Sequence, residues 1–135
     1  MSYLKTYLKT IADRGNIRLA ESISQTADDV GNQHIKRFSF CSHEIGLLFG
    51  NVQSGKTGQM FGIICKAADM GFPTFVLLTT DNVVLQQQTL ERVKADLQGF
   101  CICGENDSGL FIENRLMQPA IIVLKKNVRI LRLWA

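Results

Sequence analysis

A glycine-rich octapeptide constrains the fold of this chain more than any other feature. Residues 50–57, called here the glycine loop, are Gly50, Asn51, Val52, Gln53, Ser54, Gly55, Lys56 and Thr57. They match the pattern G-x-x-x-x-G-K-[ST] at every defined position, and average residue usage gives such a match in a chain this long about once in two hundred. The apolar run 45–49 precedes the loop, and apolar residues at helical spacing follow it from 57 to 70. The sequence therefore predicts a buried strand, a tight loop and a helix in succession.

The residue types of the glycine loop are suited to the phosphates of a nucleotide. Gly50 and Gly55 allow the backbone to turn its N–H groups inward, and the start of the helix adds about half a positive charge there. Lys56 can contact the β- and γ-phosphates, and the Thr57 hydroxyl can bind a Mg²⁺ ion that bridges them. We therefore expect residues 50–57 to bind ATP or a similar nucleotide with Mg²⁺, with Lys56 and Thr57 in the catalytic roles. The alternative is a glycine-rich strand-to-helix turn with an exposed lysine.

Helices and strands alternate along the rest of the chain. Helical spacing predicts helices at 2–14, at about 17–30 with a stop at Gly31-Asn32, and from Asp81 or Asn82 to about Leu97. A second buried strand is predicted at 74–78, further strands at 100–103 and 120–124, and a polar loop at 105–113.

This alternation indicates parallel βαβ units with helices on both faces of the sheet. We predict an α/β fold in which residues 44–135 form a parallel-sheet P-loop NTPase domain of the RecA-like kind, truncated at its end. Residues 1–43 are predicted to form a separate N-terminal helical segment that packs as an accessory layer.

Composition excludes several classes of protein. Hydrophobic residues make up 46% of the chain and charged residues 20%, which is typical of a globular domain, and the net charge of +3 does not by itself indicate nucleic acid. No apolar segment approaches the roughly 20 residues needed to span a bilayer. Four cysteines without CxxC spacing make a zinc site improbable, and Cys41, Cys65 and Cys101 lie beside apolar residues as small core side chains would. We expect a soluble cytoplasmic protein without disulfides.

A second segment carries a family resemblance. The strand at 74–78 is followed by Thr79-Thr80-Asp81 and then by Asp81-x-x-x-Leu85-x-x-Gln88. Together with the glycine loop, this segment resembles the first motor domain of superfamily-two helicases and translocases, the DEAD/DEAH-like proteins, especially the motors of restriction and phage defence. Their motif is D-R-x-x-L-x-x-Q, and Asn82 stands where arginine is usual.

The resemblance, which covers about residues 33–103 and the strand 120–124, implies roles for three further residues. Thr80 and Gln88 would contact a nucleic-acid backbone, DNA in the full-length protein. Gln33 lies seventeen residues before Gly50, close to the separation of the adenine-reading glutamine from the loop in that superfamily. A solvated surface glutamine is the alternative for Gln33.

The family's hydrolytic groups do not match this sequence. Hydrolysis there needs a strand that ends in an Asp-Glu pair and arginines from a second motor domain, whereas the last strand here ends in Lys125-Lys126-Asn127. We therefore expect these residues to be the N-terminal part of a longer ATPase motor and not to hydrolyse nucleotide alone. A small P-loop kinase and a non-enzymatic nucleotide-binding module are the alternatives.

Overall fold

The chain forms two compact units, Met1–Gly71 (unit one) and Phe72–Ala135 (unit two). The structure, a computed structural model, describes residues 2–50, 55–79, 82–104 and 118–125. In these ranges, unit one contributes three α-helices, and unit two contributes one α-helix and a three-stranded parallel sheet. The α/β class is therefore confirmed. The predicted boundary between residues 43 and 44 stays a prediction.

Unit one contains the helices α1 (Tyr3–Asp13), α2 (Ile17–Val30) and α3 (Lys56–Asp69). The bounds of all three agree with the sequence prediction to within one residue. Each helix buries an apolar stripe because its apolar residues recur every three or four positions. The buried side chains are those of Leu4, Tyr7 and Ile11 on α1, Ala20, Ile23 and Ala27 on α2, and Phe61, Ile64, Cys65 and Ala67 on α3.

The contacts fix the directions of the three helices. Along α2 and α3, Leu19 faces Gly55, Ile23 faces Gly58 and Gly62, and Asp28 binds Lys66, so these two helices run parallel. Along α1 and α3, Ser2 contacts Asp69 and the Tyr7 hydroxyl donates to the Gly58 carbonyl oxygen at 3.3 Å, so these two run antiparallel. The N-terminal ends of α2 and α3 therefore lie at the same end of unit one.

The α2 helix ends at Val30 as predicted, but Gly31-Asn32 does not end the helical run. Gly31 keeps a helical φ of −59°, and the chain continues as a short π-helix over Gly31–Ile35. The reason lies in the packing, because a Cβ atom at Gly31 would lie 2.8 Å from both Cγ and Cε of Lys66. This glycine makes room for the Lys66 side chain, whose Nζ reaches Asp28 Oδ1 at 2.9 Å.

The predicted buried strand at 45–49 is also wrong. Residues 43–50 form neither helix nor strand, and Ile45, Leu47 and Phe49 are 92%, 77% and 85% exposed. A strand needs a neighbour to receive its backbone hydrogen bonds. The described residues of unit one contain no strand that could pair with this run. Cys41, predicted to be a core residue, is exposed just before the same segment.

Unit two contains β1 (Thr74–Thr79), α4 (Val83–Asp96), β2 (Cys101–Cys103) and β3 (Ala120–Lys125), as predicted to within one or two residues. The sheet order is β1-β3-β2 and both pairings are parallel, with Ala120 opposite both Thr74 and Cys101. The central strand β3 holds the fully buried Ile121 and Val123.

The strand β1 is buried on one face only, which corrects the prediction of a strand covered on both sides. Leu77 is buried on the face shared with Ile121 and Val123, whereas Val76 and Leu78 on the other face are 45% and 60% exposed. The predicted polar loop at 105–113 lies outside the described residues. Among the described residues, no helix is long and apolar enough to cross a membrane.

Candidate functional site

The end of the glycine loop has the backbone geometry that its sequence predicts. Gly55 adopts the left-handed conformation, with φ 73° and ψ 32°, and α3 begins at the next residue, Lys56. Only glycine adopts this conformation without a steric cost. The Gly55 carbonyl oxygen accepts the first hydrogen bond of the helix, from the Gln59 N–H at 3.0 Å. The predicted helix start is therefore confirmed, while Asn51, Val52, Gln53 and Ser54 lie outside the described residues.

The start of α3 presents positive charge and backbone donors. The first N–H groups of a helix have no acceptor within the helix, and its dipole places about half a positive charge there. Among the described residues no side chain caps this end, and the first turn carries no acidic residue. The Lys56 side chain is exposed and Thr57 is half-buried. This arrangement can bind an anion and can present a hydroxyl oxygen beside it.

A close packing seam between α2 and α3 supports this end of the helix. Ile23 is fully buried against Gly58 and Gly62, and a Cβ atom at Gly62 would overlap Ile23 Cγ2. A Cβ atom at Gly55 would lie 2.9 Å from Leu19 Cδ1. The glycines of α3 therefore let α2 approach the helix that follows the loop.

Gln59 is a buried polar residue in the same seam that sequence reasoning missed. Its Nε2 donates to Ser22 Oγ at 2.9 Å, but its buried Oε1 has no hydrogen-bond partner within the described part of the chain. Such an unsatisfied acceptor costs about 1–3 kcal/mol. In the sequence, the only indication that Gln59 is buried is that it is a lone amide among the small and apolar residues of α3. This pattern does not identify Ser22 as its partner.

Of the other predicted site residues, the structure describes Gln33 and Gln88. Gln33 is exposed on the π-helix that follows α2. The first residue of this π-helix, Gly31, packs against Lys66, which lies about 15 Å along α3 from Lys56. The predicted contact of Gln33 with adenine stays a prediction. Gln88 is exposed on α4, and Thr80 lies outside the described residues.

Asn82 has a structural role at the start of α4. Its Oδ1 accepts from the N–H groups of Val84 at 2.9 Å and Leu85 at 3.4 Å. Asparagine is a preferred residue at this position because its side chain satisfies helix donors that otherwise lack acceptors. The predicted cap is confirmed for Asn82.

The buried thiol of Cys65 is not suited to nucleophilic chemistry. Burial, with a smaller contribution from the Asp69 carboxylate, raises the pKa of Cys65 to about 12. The reactive form of cysteine is the thiolate, so this residue is a packing residue. All four cysteines are free, and no group of three or more His, Cys, Asp or Glu side chains within the described ranges could hold a metal ion.

Comparison with known proteins does not assign this chain to a family. The sequence of the glycine loop and the conformation of Gly55 at the start of α3 are therefore the basis for an assignment of function. No model of a known protein family matches the chain, and neither characterised proteins nor solved structures give a significant match.

Proposed function

We propose that this chain binds the phosphates of ATP or a similar nucleotide, with Mg²⁺, at residues 50–57 of a RecA-like P-loop NTPase domain. The observation that carries the proposal is the left-handed Gly55 immediately before α3, in a segment that fits the phosphate-loop pattern at every defined position. Successive N–H groups around a left-handed residue form a concave anion site, and the helix start adds its partial charge.

Two side chains give the site its further chemistry. The exposed Lys56 ammonium would bind the β- and γ-phosphates, which stabilises their negative charge. The half-buried Thr57 hydroxyl would be the protein ligand of Mg²⁺, and this ion supplies charge neutralisation between the phosphates. The remaining ligands of such an ion are nucleotide oxygens and water, so a cluster of acidic residues is not required.

We further propose that the chain acts in an ATP-dependent helicase or translocase on DNA, in restriction or phage defence. Two features of unit two support it. Gln88 is exposed on α4, and α4 starts directly after β1 at the carboxyl end of a parallel strand. Ligands of open α/β sheets bind at this end. Thr80 and Gln88 would contact the nucleic-acid backbone.

We expect Lys56→Ala to weaken binding of Mg²⁺-ATP about ten- to a hundred-fold. The reason is the loss of a charge-assisted contact of about 1.5–3 kcal/mol. Isothermal titration of nucleotide into parent and variant measures this change. Lys9→Ala, which removes an exposed lysine of α1, is the matched control and should bind as the parent does. Equal affinity of the parent and Lys56→Ala would refute the phosphate site. Steady Lys56-dependent turnover would favour the alternative of a small kinase or self-sufficient ATPase.

A separate variant tests the motor assignment. Gln88→Ala should reduce the stimulation of ATP turnover by DNA about five-fold while nucleotide affinity stays unchanged, because one lost backbone hydrogen bond is worth about 1 kcal/mol. Gln87→Ala alters the neighbouring exposed amide, which bonds to Glu91 on the helix surface at 3.2 Å, and is the control. Equal stimulation in Gln88→Ala and parent would reject this contact.

A further inference from the structure

One side chain of α2, that of Leu19, contacts Gly55 directly before α3. Leu19 is in the first turn of α2, is half-buried, and reaches the Cα of Gly55. If Gly55 carried a Cβ atom, it would lie 2.9 Å from Leu19 Cδ1 and 3.9 Å from Leu19 Cδ2. A methyl group of Leu19 therefore occupies the space that a side chain of Gly55 would need.

This contact bears on the residue whose conformation matters most to the loop. Gly55 must hold a positive φ to start α3 directly behind the loop, yet glycine has the largest conformational freedom of any residue. Each backbone conformation lost on binding weakens affinity, whereas a conformation already fixed does not. A side chain packed against Gly55 restricts this freedom before a ligand binds.

The position of Leu19 is itself fixed by contacts further along the two helices. Ile23, one turn later on α2, is fully buried against Gly58 and Gly62. Ser22 accepts the hydrogen bond from Gln59, and Asp28 binds Lys66 at 2.9 Å. These contacts lie at successive levels of a parallel helix pair, so α2 cannot slide along α3 without breaking several of them.

We infer that Leu19 is a positioning residue for the phosphate site, holding Gly55 in its left-handed conformation from the neighbouring helix. The inference rests on the proposed function of residues 50–57 and extends it to α2, which makes the N-terminal helical layer a determinant of nucleotide affinity. Leu19 does not touch the ligand in this arrangement and acts through Gly55 alone.

The first arm of the test truncates Leu19. Leu19→Ala should weaken binding of Mg²⁺-ATP and of Mg²⁺-pyrophosphate about five- to thirty-fold, the cost of fixing one residue's backbone on binding. Leu8→Ala removes the same atoms from a half-buried leucine of α1 and should leave affinity unchanged, although both variants lower the midpoint of thermal unfolding. Leu19→Met, which refills the space, should restore binding. If Leu19→Ala and Leu8→Ala both lose nucleotide affinity in proportion to their loss of thermal stability, the inference is overturned.

The second arm measures coupling between Leu19 and Gly55. Gly55→Ala alone must both hold alanine at positive φ and displace the Leu19 methyl group, whereas in the Leu19→Ala background only the first cost remains. The Gly55→Ala substitution should therefore weaken binding by a smaller factor in that background. Equal factors in the two backgrounds would overturn the inference.

The outcome of the Lys56→Ala titration separates failure of this inference from failure of the site. If Lys56→Ala binds as the parent does, the phosphate site is refuted and the role of Leu19 falls with it. If binding depends on Lys56 and Leu19→Ala binds as the parent does, only the role of Leu19 is refuted.

Discussion

Replacing Ile23 by alanine should lower the free energy of unfolding by about 2–5 kcal/mol. Ile23 is fully buried and its side chain fills the notch that Gly58 and Gly62 leave on α3. Removing three carbon atoms there creates a cavity that the two glycines cannot fill, because they have no side chains to rearrange. Denaturant unfolding followed by far-ultraviolet circular dichroism measures the loss.

Two further variants make the Ile23 result specific. Ile17→Ala removes the same atoms from the same helix at a position that is 61% exposed, and should change stability by no more than about 0.5 kcal/mol. Gly62→Ala should also destabilise, because the Cβ atom would overlap Ile23 and the overpacking cost, about 1–3 kcal/mol, exceeds the roughly 1 kcal/mol that alanine gains in a helix. In the Ile23→Ala background its overpacking cost should disappear. Similar losses of stability for Ile23→Ala and Ile17→Ala would contradict the close packing of Ile23 against α3.

Replacing Asp69 by alanine should destabilise the protein by about 2–3 kcal/mol, because one carboxylate here serves the start of a distant helix. Asp69 accepts from Ser2 Oγ at 2.7 Å, from the Tyr3 N–H at 2.7 Å and from the Leu4 N–H at 3.1 Å. The negative charge is unfavourable at the end of α3 but favourable at the start of α1, and the three hydrogen bonds decide for the second effect.

The Asp69 prediction has an intermediate variant and a control. Asp69→Asn keeps an acceptor oxygen without the charge, so its free energy of unfolding should lie between those of the parent and Asp69→Ala. Asp29→Ala removes an exposed carboxylate near the end of α2 and should be nearly neutral. Thermal unfolding gives the stabilities, and hydrogen exchange at the Tyr3 and Leu4 amides locates the effect. Unchanged exchange at both amides in Asp69→Ala would contradict the cap.

Local sequence patterns predicted most of the helices and strands in this chain. The α2 helix has the predicted bounds 17–30, and β1 extends the predicted strand by one residue. These elements are encoded by the spacing of their own residues. The run 45–49 has the composition of a buried strand, yet a strand also requires a pairing partner, and no local pattern supplies one. Gly31 continues the helix for a similar reason, since its neighbour Lys66 is distant in sequence.

The same distinction applies to the candidate site. The motif itself predicted the start of α3 at Lys56, because the loop pattern contains both the glycine and the lysine. Leu19, Ser22 and Ile23 could not be assigned to the site from sequence, because their contacts with α3 depend on how two helices pack. Gln59 was hidden for the same reason, since a polar residue on a helix is usually exposed and this one is buried.

The contact between Ser2 and Asp69 closes unit one on itself. It brings the beginning of the first helix to the end of the third within the length of one hydrogen bond, while the stretch from 39 to 50, between the second and third helices, is exposed and contains no helix or strand. Packing in this unit therefore does not depend on the order in which the chain visits its helices. A short linker joining the start of α1 to the end of α3 would allow new termini to be opened within 39–50. A unit permuted in this way would keep the same three-helix core.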